Sequence, residues 1–256
     1  PVKIYADKLA ATLRGQLLPA YLVSGDEPLL VQEAADAVRS AARGADYSQR
    51  ELFHCDAGFS WETLYHEASA LSLFANRKII ELRLTGKPSD KGEAITELLA
   101  RPNPDQLLLV VAGKLDKSQL NAGWVKAIDA VGAVVQAPAV TAAQLPRFIQ
   151  QRLKQAGVSV NEEAAALLAE RVEGNLLAAV QEIEKLKLLA NDGHIDAQTL
   201  SNVVADSARY NTWEFIDRML LGDTQAVARS LRGMRAEGVE LLPLLWAIGR
   251  DLRSLA

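Results

Sequence analysis

The chain has 256 residues, 49% hydrophobic and 23% charged, an ordinary globular composition with enough apolar material for more than one core. A formal net charge of -4 argues against a surface given over to nucleic-acid phosphates, though it leaves room for a local basic patch. The single cysteine, Cys55, excludes an internal disulfide and points to the cytosol, and apolar runs such as Leu107 to Val111 are too short to span a bilayer.

No signal peptide opens the chain. It begins at Pro1 without a methionine and stops in a helix-like stretch, Leu241 to Ala256, so a piece of a longer protein is expected. Up to about Thr141, short apolar runs alternate with amphipathic stretches, which is an α/β pattern. Ala20 to Val23 predicts a first strand and Ser24 to Pro28 a turn. Leu29 to Arg43 predicts a helix, with Leu30, Ala34, Ala37, Val38 and Ala41 on one face. Glu51 to Cys55 predicts a second strand. Ser60 is a good N-cap for the next helix, with Phe59 placed to staple onto Leu64. Arg77 to Leu84 is β-branched and aliphatic, a strand, and Gln106 to Ala112 reads as a central strand buried on both faces. A helix over roughly Lys117 to Ala130 leads to a short strand, Ala133 to Gln136.

Beyond Thr141 the strand pattern disappears. Pro146 lies near the start of a helix carrying Leu145, Phe148, Ile149 and Leu153, which ends at Gly157. Asn161 is placed to cap a helix to Val172, Gly174 to stop it, and Asn175 to cap Leu176 to Ala190. After the turn Asn191-Asp192-Gly193, Asp196 caps a short helix to Val204. A third helical region, 211–256, carries Trp213, Phe215, Ile216, Leu220 and Leu221, with a break at Gly222-Asp223. The expected domains are therefore 1–140, α/β; 141–210, a small helical lid; and 211–256, all-helical.

A strand, a glycine turn and a helix, followed by a helical lid, is the setting of a P-loop. That motif, G-x-x-x-x-G-K-[ST], needs backbone N–H groups around the phosphates, a lysine on the β/γ-phosphates and a hydroxyl on magnesium. Aligned on Gly25, this chain puts Leu30, Val31 and Gln32 in place of the second glycine, the lysine and the hydroxyl. It also puts Asp26 and Glu27 where a polyanion would lie. The strand 107–111 is followed by Ala112-Gly113 rather than by acidic residues for magnesium and water. Gly174-Asn175-Leu176-Leu177 resembles the turn that aims a lid arginine at the γ-phosphate, with Leu177 in the arginine's place. Three losses of positioned charge together argue against nucleotide hydrolysis.

Other chemistry has little support. His54 and Cys55 are strand neighbours and should point to opposite faces, so they make a poor nucleophile–base pair. His66 and His194 have no nearby ligand set, and Asp26 and Glu27 read as turn residues before Pro28, so no cofactor, metal or catalytic residue is expected. A divergent P-loop NTPase, or an adaptor of the same fold with another partner, is the rival reading.

The helix beginning at Ser60 has its apolar stripe on Trp61, Leu64, Tyr65, Ala68 and Leu71. Continued on the same wheel, Leu73 and Phe74 fall roughly 145° and 115° from the centre of that stripe. Either the pair stands out as an exposed plug, or the helix ends early and the pair turns inward, the commoner fate of large apolar side chains. Arg77 and Lys78 follow as candidate rim charges.

Ala70-Leu71-Ser72-Leu73-Phe74 resembles the Q-L-[SD]-L-F peptide by which bacterial replication proteins bind the sliding clamp, with Ala70 in the glutamine position. With Tyr21-Leu22-Val23-Ser24-Gly25-Asp26-Glu27-Pro28-Leu29-Leu30 and Gly174-Asn175-Leu176-Leu177-Ala178, the whole chain resembles the delta subunits of the bacterial DNA polymerase III clamp loader. The resemblance implies an AAA+-like, P-loop-type parallel-sheet domain and lid that bind no ATP. It also implies a collar domain, of which 211–256 would be a shortened form. The implied role is mechanical: a non-catalytic subunit of a DNA-directed DNA polymerase (nucleotidyltransferase) holoenzyme. Ala70, Leu71, Ser72, Leu73, Phe74 and Arg77 would engage the beta sliding clamp and open the ring. The implied partners are that clamp and, through the C-terminal helices, the ATPase subunits and delta prime. Primed DNA is a weak further candidate, through Arg229, Arg232, Arg235, Arg250 and Arg253.

Overall fold

The computed structural model describes residues 3–69, 77–101, 103–158, 160, 162–172, 175–189, 212–236, 244–245 and 248–249. They divide into two compact units, 1–140 and 141–256.

The first unit is built on six strands: β1 (Lys3–Tyr5), β2 (Ala20–Gly25), β3 (Tyr47–Cys55), β4 (Arg77–Leu84), β5 (Gln106–Ala112) and β6 (Ala133–Ala137). All pair in parallel, in the order β1-β6-β2-β5-β4-β3. The helices are α1 (Ala6–Leu13), α2 (Pro28–Gly44), α3 (Trp61–Ser69), α4 (Glu93–Ala100), α5 (Lys117–Leu120) and α6 (Gly123–Val131). Successive strand residues face opposite sides, so β2, β4, β5 and β6 supply two cores at once. Leu22, Ile80, Leu82, Leu108, Val110 and Val134 pack against α3, α4 and α6. Tyr21, Val23, Ile79, Leu107, Leu109 and Val135 pack against α1 and α2.

The six strands and flanking helices are the parallel α/β architecture expected from the apolar pattern. Four details differ. The first strand and helix, β1 and α1, lie ahead of the expected start. β3 begins at Tyr47, four residues earlier than expected, because its polar first half is an exposed edge with a register shift between Tyr47 and Gln49. α4 was not foreseen. The expected helix 117–130 is two: Asp116 and Gln119 form a reciprocal capping box on α5, and α6 starts afresh at Gly123.

In the second unit, α7 (Leu145–Gln155) packs on α8 (Glu162–Arg171) and α9 (Leu176–Leu189). Their buried faces carry Ile149, Leu153, Leu168, Ile183 and Leu186. The Asn175 side chain accepts from the Ala178 N–H at 3.0 Å, the expected cap of α9. Next come α10 (Thr212–Leu220) and α11 (Thr224–Ala236), whose Phe215, Ile216 and Met234 cluster with Leu244 further along the chain. Asn161, Gly174 and the helix expected from Asp196 to Val204 lie outside the described residues, as does the division expected at 210/211. Among the described residues no helix is long and apolar enough to cross a membrane.

Candidate functional site

The phosphate-binding position of a P-loop fold lies where β2 gives way to α2, beside the end of β5. Here β2 runs to Gly25, and only Asp26 and Glu27 separate it from α2. Gly25 lies against β6: a Cβ there would come within 1.9 Å of the Ala137 carbonyl oxygen. The Glu27 N–H donates to that same oxygen at 3.3 Å. The glycine therefore serves strand-to-strand approach, with no loop left to wrap a phosphate.

Two N–H donors of the first turn of α2 are already taken up by Glu27. Pro28 has no N–H to offer, the Leu29 N–H donates to the Glu27 carboxylate at 3.3 Å, and the Val31 N–H donates to the Glu27 carbonyl at 3.0 Å. A carboxylate of the chain itself thus occupies the positive end of the helix. Val31, at the lysine position, is buried in the core under α2, while Gln32 faces solvent and donates to Asp36 at 3.0 Å. Beyond Ala112-Gly113 comes Lys114, whose ammonium pairs with Asp26 at 2.9 Å. The site's charges are reversed relative to a working P-loop: an acid in the loop, and a base at the end of the strand that should carry acids. Lys114, one residue beyond Gly113, was not among the expected site residues, because its pairing with Asp26 joins the ends of two strands far apart in sequence. In the second unit Leu177, at the lid-arginine position, is exposed on α9.

His54 is exposed and Cys55 buried, on opposite faces of β3 as expected. Burial, with Asp56 and Asp90 nearby, pushes the Cys55 thiol up to about 12, which makes it a poor nucleophile.

Of the candidate docking residues, Ala70, Leu71, Ser72, Leu73 and Phe74 lie outside the described residues. Arg77, the first residue of β4, is exposed and held in place. Its guanidinium lies over the Tyr47 ring at 5.5 Å, donates to the Ala45 carbonyl at 3.2 Å and pairs with Asp105 at 3.5 Å. Lys78 corrects its expectation: it is buried and so cannot stand as a rim charge, because its neighbours on the strand line the core. Of the C-terminal arginines, Arg232 and Arg235 are exposed on α11, while Arg250 and Arg253 lie outside the described residues.

A second polar cluster was not foreseen. Glu81, in the middle of β4, has no side-chain exposure. Arg39 of α2 reaches it through Nε at 2.9 Å and Nη2 at 3.2 Å, Arg50 of β3 through Nε at 2.8 Å, and Arg83 through Nε at 3.1 Å. Arg39 also pairs with Asp36. Burial pushes the Glu81 carboxyl up, but the bonds from Arg39, Arg50 and Arg83 outweigh it and hold the group at about 2. The sequence signal was a lone glutamate inside an aliphatic strand, which requires a buried cation opposite it.

A parallel six-stranded sheet of this order, with helices on both faces and further helices behind it in sequence, defines an AAA+-like α/β protein of P-loop type. The family described as "DNA polymerase III, delta subunit" matches over residues 21–138. DNA polymerase III subunit delta of Escherichia coli is 33% identical over 99% of this chain and 75% of that protein. The subunit of the same name from Haemophilus influenzae is 26% identical over the same shares. A solved DNA clamp loader delta protein of Bacillus subtilis superposes with a TM-score of 0.72 at 18% identity, over 97% of this chain and 76% of that one. The chain belongs to the family of DNA polymerase III delta subunits.

Proposed function

We propose that this chain is the clamp-opening subunit of a bacterial clamp loader, working without nucleotide of its own. Leu73 and Phe74 form the apolar plug that enters a pocket on the sliding clamp. Leu71 straddles the helix stripe and the interface, and Ala70, Ser72 and Arg77 flank them. The observation that carries the reading is the 33% identity to a DNA polymerase III delta subunit along nearly the whole chain. The Leu71-Ser72-Leu73-Phe74 run supplies the contact. The occupied α2 N-terminus supports a mechanical rather than hydrolytic role: Glu27 already takes the Leu29 and Val31 N–H groups, and Asp26, paired with Lys114, adds a second carboxylate where a phosphate would lie. The C-terminal helices are the surface for the ATPase subunits and delta prime, in the domain division 1–140, 141–210 and 211–256.

Burying a leucine and a phenylalanine is worth roughly 1.5–3 kcal/mol each before the costs of association. Leu73→Ala with Phe74→Ala should therefore abolish clamp binding in surface plasmon resonance while leaving circular dichroism unchanged. Unaltered affinity in that double variant would remove the plug assignment. Magnesium-dependent ATP binding by the wild-type chain, measured by calorimetry at physiological concentration, would remove the nucleotide-free reading.

A further inference from the structure

The Glu81 cluster holds more positive charge than it needs. Arg39 alone reaches both carboxylate oxygens, yet Arg50 and Arg83 also converge on them, and Asp36 offsets only one of the remaining charges. Arg50 and Arg83 each spend a single Nε–H on Glu81, and their side chains are 38% and 37% exposed. Among the described residues their Nη groups have no partner, so two guanidinium forks are fixed in place by a buried anion and turned toward solvent.

The surroundings show what fits them. Arg50 and Leu52 lie two apart on β3 and share a face, with His54 next in line. Leu52 pairs in register with Glu81 and His54 with Arg83, so all these side chains are on the α2 side of the sheet. Leu52 is 38% exposed between the cations. β3 is also the last strand of the sheet, and its outer edge has no partner strand among the described residues.

We propose that the β3 edge is a docking site for an extended acidic segment of a partner protein, added as a further strand. Alternate residues of that segment read acid, apolar, acid: a carboxylate against Arg50, an apolar side chain against Leu52, and a carboxylate against His54 with Arg83 behind it. Strand addition satisfies the open backbone edge, and the acids neutralise the surplus of the arginine cluster. The open edge and the exposed leucine favour a peptide over nucleic acid, whose phosphates would use the arginines and neither of the others.

The test uses the full chain and a fluorescein-labelled peptide with the core Glu–Thr–Leu–Thr–Glu extended by threonines, followed by anisotropy. The acidic peptide should bind, and its counterpart with glutamine for glutamate should bind about tenfold more weakly. Arg50→Gln with Arg83→Gln should weaken the acidic peptide to a similar extent. Leu52→Asp, which removes none of the donors to Glu81, should do the same and decides the matter if the double arginine variant loses its circular dichroism. A single-stranded oligonucleotide should not displace the peptide. The Leu73→Ala, Phe74→Ala variant should bind it normally, which separates this site from the clamp reading. No binding, equal binding of the glutamine peptide, indifference to Leu52→Asp, or displacement by the oligonucleotide each overturns the proposal.

Discussion

Glu81 is a buried acid whose charge is maintained entirely by what faces it, and this sets how the protein responds to acid. Its carboxyl is brought from an ordinary 4.5 to about 2 by bonds from three arginines acting against burial. The folded value lies below the unfolded one, so the stabilisation is fully present above the ordinary glutamate range and is lost as pH falls toward about 2. Denaturant unfolding at a series of pH values should show wild type weakening below about pH 4.5, and Glu81→Gln should lack that component. At neutral pH, Glu81→Ala should cost about 3–5 kcal/mol, because it strands the buried Arg39. Arg50→Ala should cost less than about 1 kcal/mol, since that side chain is partly solvated. Equal losses for the two variants would show that Arg39 is not the principal partner.

Among the elements, the junction of β2 and α2 carries the strongest argument about nucleotide. Restoring the motif residue by residue should not restore the site. Val31→Lys would bury an ammonium under α2, among the side chains of the core on that face of the sheet. The expected outcome is a fall of several degrees in Tm with no gain in ATP binding by calorimetry. A stable Val31→Lys variant that binds ATP would mean the helix can re-form its first turn around a phosphate. The central elements were legible because aliphatic runs such as Leu107 to Val111 leave few alternatives to a strand buried on both faces. The missed elements lack that signal. In β1, Ile4 is buried and Tyr5 exposed, and the first half of β3 is Tyr47-Ser48-Gln49-Arg50, polar because it faces solvent at an edge. α4 starts after Gly92 in a left-handed conformation, and its capping carboxylate, Asp90, sits two residues before that glycine, bonded to the Gly92 and Ala94 N–H groups. The cap is present but out of its usual place. At the candidate site, the lost P-loop residues could be read from Gly25 to Gln32. The Asp26–Lys114 pair could not, because it joins the ends of two strands far apart in sequence.

At the scale of the whole molecule, the division at Val140 separates two kinds of construction. The first unit holds the entire sheet and both of its cores, and no strand of the described residues lies beyond Ala137. A unit of that size with its own core meets the requirements for independent folding. It also contains the whole run from Ala70 to Arg77 proposed to engage the clamp. A fragment of residues 1–140 should therefore unfold in one cooperative transition, with a stability of about 5–15 kcal/mol. If the plug acts as a local anchor, the fragment should also bind the clamp with the affinity of the full chain, and Leu73→Ala with Phe74→Ala should abolish that binding as it does in the longer protein. The assembly surface assigned to the C-terminal helices would be missing, so the fragment should fail to co-purify with the ATPase subunits while still retaining the clamp. A fragment that folds but does not hold the clamp would place part of the contact in the helical unit. One that holds the clamp and also recruits the ATPase subunits would move the assembly surface onto the α/β unit.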